Sequence, residues 1–179
     1  MTTNRQIILY IAMSLDGYIS KPNDDLSFLT LVEKEGEDYG YSHFVSTIDT
    51  VILGRKTYDW VMKHVGNFPH ADKYAYILTR TARPSIGKTV FYTGNLTDLV
   101  YKLKSEHGKN IYCDGGAEIV HELLKNDLLD EIIISVIPIM VGNGIRLFKD
   151  GRPEQLLKLV NVKTFDTGLT QLHYKRAVN

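Results

Sequence analysis

The sequence predicts a three-layer α/β domain whose central sheet is mostly parallel and ends in an antiparallel hairpin. Three observations carry that expectation. Strand-like and helix-like periodicities alternate along nearly all of the 179 residues. Glycines stand where predicted strands hand over to predicted helices, and the last two β-rich runs flank Asp166-Thr167-Gly168, a hairpin signal. Alternation of this kind puts helices on both faces of the sheet, because each parallel crossover needs a long connection.

In chain order, Gln6 to Met13 is an apolar run that reads as a buried strand, followed by the polar loop Ser20 to Asp25. Tyr41, Phe44, Val45 and Ile48 fall at i, i+3, i+4 and i+7, one face of a helix. Thr50 to Leu53 is a short strand that runs into Gly54, and Tyr58, Val61 and Met62 mark a helix directly after it. Tyr74 to Leu78 and Lys88 to Tyr92 are strands about the Arg83-Pro84-Ser85 turn. Leu96, Leu99, Val100 and Leu103 form a helical stripe closed by Gly108. Asn110 to Cys113 is a strand, Gly115-Gly116 a turn, and Ala117, Val120, Leu123 and Leu124 the next helical stripe. Glu131 to Ile137 is a β-branched strand stopped by Pro138, and Leu157 to Phe165 with Leu169 to Tyr174 make the hairpin.

Composition narrows the function classes. Hydrophobic residues at 44% and charged residues at 23% fit one soluble domain spanning residues 1–179. Lys plus Arg and Asp plus Glu are both 21, so no global field recruits nucleic acid or an anionic membrane. The longest apolar run, Ile132 to Val141, is broken by Ser135 and Pro138 and is too short to span a bilayer. The single cysteine, Cys113, excludes an intramolecular disulfide and reads as a small buried hydrophobe. With no signal-peptide profile, the expectation is a cytoplasmic protein. The six histidines have no metal-ligand spacing, so no metal site is expected.

Two strand-to-helix turns could hold phosphate, since ligands of open α/β sheets bind at the carboxyl ends of strands against helix N-termini. At Gly54-Arg55-Lys56-Thr57, two cations and a hydroxyl stand at a helix start. The alternative is an ordinary turn with a solvated Arg-Lys pair. At Asp114-Gly115-Gly116-Ala117-Glu118, two glycines would let a pyrophosphate approach the backbone, at the cost of two nearby carboxylates. Gly142-Asn143-Gly144 is not a dinucleotide fingerprint, because Leu147 replaces the third glycine and no helical stripe follows.

Several segments, in order, resemble the family that joins dihydrofolate reductase to the reductase domain of the bifunctional riboflavin-biosynthesis deaminase/reductase. They are Ser14-Leu15-Asp16-Gly17-Tyr18-Ile19, Asp49 through Gly54-Arg55-Lys56-Thr57-Tyr58, Ile77-Leu78-Thr79-Arg80, Asp114-Gly115-Gly116-Ala117, and Leu129 through Pro138, Gly142, Gly144, Leu147 and Phe148. The resemblance implies a dihydrofolate-reductase-like fold, a homodimer and an NADPH cofactor. In it Gly54, Arg55, Lys56 and Thr57, with Leu78, Thr79 and Arg80, hold the adenosine phosphates. Gly115, Gly116, Ala117 and Glu118 hold the pyrophosphate, with an unusual, even cis, peptide at the Gly-Gly turn. Ala12 and Ile19 border the nicotinamide. Basic and hydroxyl groups at the first two places imply NADPH over NADH.

The implied reaction is hydride transfer to a pteridine- or pyrimidine-like heterocycle, as in 5-amino-6-(5-phosphoribosylamino)uracil reductase. The alternative is a non-catalytic NADP-binding, stress-associated protein. Dihydrofolate reductase proper is disfavoured, because no arginine lies between Arg55 and Arg80 to grip a folate tail. Asp38 falls where folate reductases keep their acid; the other reading makes Glu33, Glu35, Glu37 and Asp38 a solvated approach to a helix N-terminus. Asp16 reads as a turn former. Phe28, Tyr41, Phe44 and Trp60 are expected to wall a flat substrate pocket, or else to fill the ordinary core.

Overall fold

In a computed structural model, which describes residues 5–177, ten strands and four α-helices follow one another in the expected alternation. The strands are β1 (Ile7–Ser14), β2 (Tyr18–Ser20), β3 (Ile48–Gly54), β4 (Tyr74–Leu78), β5 (Thr89–Tyr92), β6 (Asn110–Gly115), β7 (Glu131–Ile137), β8 (Ile145–Arg146), β9 (Leu157–Thr164) and β10 (Thr170–Arg176). The helices are α1 (Tyr41–Ser46), α2 (Arg55–Val65), α3 (Leu96–Ser105) and α4 (Ala117–Lys125). Eight strands form one sheet in the order β5-β4-β3-β6-β1-β7-β10-β9. Pairing is parallel from β5 to β7 and antiparallel for β7-β10 and β10-β9.

The two apolar faces of the sheet are covered as strand alternation requires. Leu99, Val100 and Leu103 of α3 and Val120, Leu123 and Leu124 of α4 pack on Ile7, Leu9, Ile52 and Ile111. On the other face, Phe44 of α1 and Tyr58 of α2 pack on Ile8, Val51, Leu53 and Tyr112. Cys113 is fully buried in β6, as expected of a core residue, and burial pushes its thiol up to about 12. At the amino-terminal edge of the sheet, Arg5 is buried and donates to Asp49 (2.5 Å), Thr50 (2.7 Å) and the carbonyls of Lys109 and Leu103. That network ties β1, β3 and the α3–β6 loop together at the opposite end from the glycine turns.

Four local differences from the sequence reading have plain causes. The helix beginning at Tyr41 stops at Ser46, and Ile48 already belongs to β3, where it is buried against the sheet. Helix α3 ends at Ser105, so Gly108 lies beyond its cap; a Cβ there would stand 2.5 Å from the Asp49 carboxylate. A 3-10 turn, Pro22–Asp24, lies within the loop read from Ser20 to Asp25, and a second, Ser27–Val32, follows it. The β2-β8 pair was not expected, because strands of three and two residues carry no readable periodicity. Gly144 permits that pair: at φ +143°, a Cβ would lie 1.9 Å from the Ser20 carbonyl oxygen.

Helix α3 begins on Asn95, whose side chain accepts from the Thr97 amide (2.7 Å) and the Asp98 amide (3.3 Å). Replacing Asn95 by Ala strips that cap, and urea unfolding should show a loss of about 1 kcal/mol with an unchanged m-value.

Candidate active site

The register of the parallel strands lines up the predicted turns. Gly54 of β3 pairs with Leu78 of β4 on one side, and Leu53 pairs with Gly115 of β6 on the other. The Leu78-Thr79-Arg80 end, the Gly54–Thr57 turn and the Gly115–Glu118 turn therefore stand side by side. Beyond them lies β1, whose ladder with β6 stops at Leu9–Cys113 while its ladder with β7 runs on to Ser14–Ile137. Past Leu9, β1 and β6 diverge, leaving Ala12 beside a gap in the sheet.

Both helices that begin in this row, α2 at Arg55 and α4 at Ala117, start without a side-chain cap, so first-turn amides are left for a ligand. The turns touch: the Gly116 amide donates to the Thr57 hydroxyl at 3.1 Å. A Cβ on Gly116 would crowd that hydroxyl at 3.3 Å, and Gly115 sits at φ +90°, which favours glycine. The Gly115–Gly116 peptide is cis, in line with the geometry the resemblance implies. A cradle this bare of side chains fits a pyrophosphate.

The charges around the cradle are held in pairs. Arg55 binds Asp59, which also receives Arg83 at 3.4 Å, and all three side chains are about 40% exposed. Lys149 binds the carboxylate of Glu118 and holds it below the usual range. Glu118 can thus meet a phosphate only through its backbone. Thr79 exchanges hydrogen bonds with the Thr81 backbone, and Arg80 is exposed at the end of β4. Exposed pairs such as Arg55–Asp59 are worth at most about 1 kcal/mol, less than a charge-assisted bond to phosphate, so Arg55 is available for exchange.

Beside Ala12, a cavity of about 620 Å³ opens on the α1 face of the sheet. Tyr10, Ala12, Ser135 and Ile137 form its floor, and Tyr39, Tyr41 and the segment 33–38 form its rim. The tyrosines are fixed by their partners. Tyr10 donates to the Tyr39 carbonyl (2.9 Å) and accepts from Gln171 (3.0 Å), and its ring stacks on Phe44 at 4.7 Å. The Tyr41 hydroxyl and the buried His70 ring share a bond of 3.2 Å. Burial, then the Asp114 charge, pushes the Tyr41 hydroxyl up to about 12. Burial also lowers His70, which leaves it neutral at pH 7.

The four aromatics expected to wall the pocket are divided. Tyr41 lines this cavity. Phe28 is 1% exposed and packs with Val32, Ile137 and Leu169, and Phe44 is 6% exposed beneath Tyr10, so both are core. Trp60 stacks on His64 at 4.2 Å and lines a second hollow, of about 750 Å³, with Lys56, Lys63 and Asp24 across from the 27–32 turn.

Asp38 does reach the cavity rim, but its carboxyl caps α1, accepting from the Gly40 amide (2.8 Å) and the Ser42 amide (3.0 Å). The Ser42 hydroxyl, then these amides, hold it below the usual carboxylate range. An ionised, solvent-facing carboxylate is a poor proton donor at neutral pH, so the geometry at Asp38 suits a helix cap better than an acid. The group that sequence reasoning treated only as a cost suits the task better. Asp114 is the extra residue of a β-bulge, where Ile52–Leu53 of β3 spans Cys113–Gly115 of β6. Bulges re-aim side chains beside active sites. Its carboxyl accepts from the Tyr112 hydroxyl at 2.6 Å, and burial, which outweighs that bond, lifts it to about 6. A lone carboxylate in an otherwise apolar strand was the available signal.

Among the described residues there is no cluster suited to a metal ion and no helix long and apolar enough to cross a membrane. The RibD C-terminal domain model matches residues 5–171. The chain belongs to that family. The YwjB protein of Bacillus subtilis (strain 168) is 43% identical over 97% of this chain and 99% of its own. The fold of a Shewanella sp. PV-4 protein, provisionally described as a riboflavin biosynthesis protein, superposes with a TM-score of 0.88 at 29% identity, over 97% and 99% of the two chains. Enterococcus faecalis dihydrofolate reductase, solved with NADP(H), superposes with a TM-score of 0.66 over 98% and 99%; at 15% identity it shows the shared fold alone. Family and fold together make this RibD C-terminal domain a reductase-like α/β protein of the dihydrofolate-reductase-like class.

Asp16, the expected turn former, clamps the loop that borders Ala12 to Ile19. It accepts from Ser14 (2.6 Å), Val141 (3.0 Å) and Gly142 (2.7 Å), and these bonds, Ser14 first, lower it from 3.8 to about 2. A depressed folded-state value contributes stability above about pH 4 that disappears as pH falls towards 2. The Asp16→Asn variant should be less stable than the parent at pH 7, and denaturant titrations should show that gap narrowing between pH 4 and pH 2.

Proposed function

We propose that this domain is an NADPH-dependent reductase acting on a pteridine- or pyrimidine-like heterocycle. The row of strand ends carries the reading. One extended dinucleotide laid along β4, β3, β6 and β1 reaches both uncapped helix starts and finishes at the gap beside Ala12, next to the aromatic cavity. Bound there, NADPH supplies the hydride.

The chain supplies binding, alignment and a proton. First-turn amides of α2 and α4, with Thr57, receive the phosphates. Arg55, Lys56, Thr79 and Arg80 face the adenosine end, while Leu78 lies beneath it. Ala12 and Ile19 border the nicotinamide position, and Tyr41 offers a flat heterocycle a wall. Asp114, bound by the Tyr112 hydroxyl and close enough to perturb Tyr41, is raised to about 6, so a fraction of molecules carries a proton there for the substrate near neutral pH. The Tyr112 hydroxyl that binds this carboxyl also reaches the carbonyl of Tyr10, a floor residue of the cavity, at 3.1 Å.

The same reading has the domain work in the cytoplasm as a homodimer. Strand β9 is exposed along all eight residues and presents Leu157, Leu159, Val160 and Val162, an apolar edge that a second copy would cover.

NADPH should bind at least about tenfold more tightly than NADH, about 1.4 kcal/mol, and Arg55→Ala should erase most of that preference. Titration calorimetry decides; equal affinities in the parent protein overturn the assignment. If Asp114 is the donor, kcat holds below pH 6 and falls about tenfold per pH unit above it. The Asp114→Asn variant should lose at least about a hundredfold in kcat while keeping its NADPH affinity; a variant with parental kcat shows that the proton comes from elsewhere.

A further inference from the structure

The rim of the cavity beside Ala12 differs in sign from a phosphate site. Glu33, Glu35, Glu37 and Asp38 supply four carboxylates to it against the single ammonium of Lys34. Lys34 is itself turned towards Asp166, 3.5 Å away on the β9–β10 turn, so a fifth carboxylate competes for that cation. Two of the rim carboxylates are held in place by backbone donors: Glu37 by the Tyr39 amide at 2.7 Å, and Asp38 by the Gly40 and Ser42 amides. To swing away and admit an anion they would have to give up those hydrogen bonds to water.

The floor offers an anion little in exchange: the Tyr10 hydroxyl already donates to the Tyr39 carbonyl, and the buried Ser135 hydroxyl, which accepts from Gln171 at 3.2 Å, carries no charge to balance a phosphate. No arginine lines this cavity or the hollow beside Trp60. In that hollow Lys56 and Lys63 face Asp24, Asp25 and Asp59, so it is not a basic channel for a phosphate to extend into.

Resting on the reductase reading of this site, we infer that its substrate is a neutral or cationic amino-substituted heterocycle without a phosphate group. Aromatic rings recognise its faces, and ring or exocyclic N–H groups meet the rim carboxylates, which accept and cannot donate. A phosphorylated substrate of the same ring system would carry its dianion into a ring of like charges. Fixed carboxylates at this rim exclude such substrates, whatever the heterocycle.

The test uses the full chain saturated with NADPH and a matched pair of ligands, 5-amino-6-(ribosylamino)uracil and its 5′-phosphate, with affinities from titration calorimetry. The unphosphorylated compound should bind at least tenfold more tightly. In the Glu33→Gln, Glu35→Gln, Glu37→Gln triple variant the two affinities should come within about threefold, and raising the salt concentration should shrink the ratio in the parent protein. These three exposed substitutions should leave the thermal unfolding midpoint and NADPH affinity as they were, which excludes misfolding as the cause. Tighter or equal binding of the phosphate, or a ratio unmoved by the triple variant, overturns the charge inference and leaves the reductase reading standing. Binding of neither compound, with NADPH bound, overturns the inference and strikes this class of pyrimidine from the reductase reading.

Discussion

Parallel pairing of β3 with β4 on one side and β6 on the other puts Leu78, Gly54 and Gly115 in adjacent positions, and the proposed site depends on that alignment. A one-residue slip in either ladder would turn its strand over and move the glycine turns out of line. The alternating burial of β3 and β6 between two apolar clusters prevents the slip. The same ladders explain the gap beside Ala12, because β1 follows β7 to its end but leaves β6 at Cys113.

Within that frame, charge is distributed by location. At the row of strand ends two acids are matched by cations, Asp59 by Arg55 and Arg83 and Glu118 by Lys149, while Asp114 is bound by the Tyr112 hydroxyl. On the proposed reading a phosphate there would exchange partners with exposed cations, and the Lys149 pair removes the charge of Glu118 from the objection raised by the acids flanking the glycine turn. At the cavity the balance is reversed. On the proposed reading, one end of the site takes phosphate and the other refuses it. Asp114 stands between the two ends, and desolvation, not a like charge, is what lifts its carboxyl into the range useful for proton donation.

The sheet, its helices and its glycine turns were legible in the sequence because long apolar periodicities and strand-to-helix glycines are local signals. The residues proposed for the cofactor were legible through ordered motifs, and the strand register stands them side by side. The substrate side was harder. An aromatic residue looks the same in sequence whether it lines a cavity or fills the core, and only packing separated Tyr41 from Phe28 and Phe44. Asp38 looked right by its distance from the Gly-Arg turn, but the Gly40 and Ser42 amides that hold it ionised are a consequence of how α1 begins. Asp114 was hidden by a bulge, which breaks the strand alternation from which a side chain's direction would be read. Tyr10 sits in an apolar run, and nothing local marks it as cavity floor.

A crystal structure of the protein grown with NADPH is the most direct measurement of the central claim, that the four strand ends form one dinucleotide track. The account predicts density running from Arg80 and Arg55, past Thr57 and the Gly115–Gly116 turn, to a nicotinamide ring in the gap between Ala12 and Asp114. A nucleotide bound elsewhere on the molecule, or a β1–β6 gap that stays empty in crystals soaked at saturating NADPH, would contradict it.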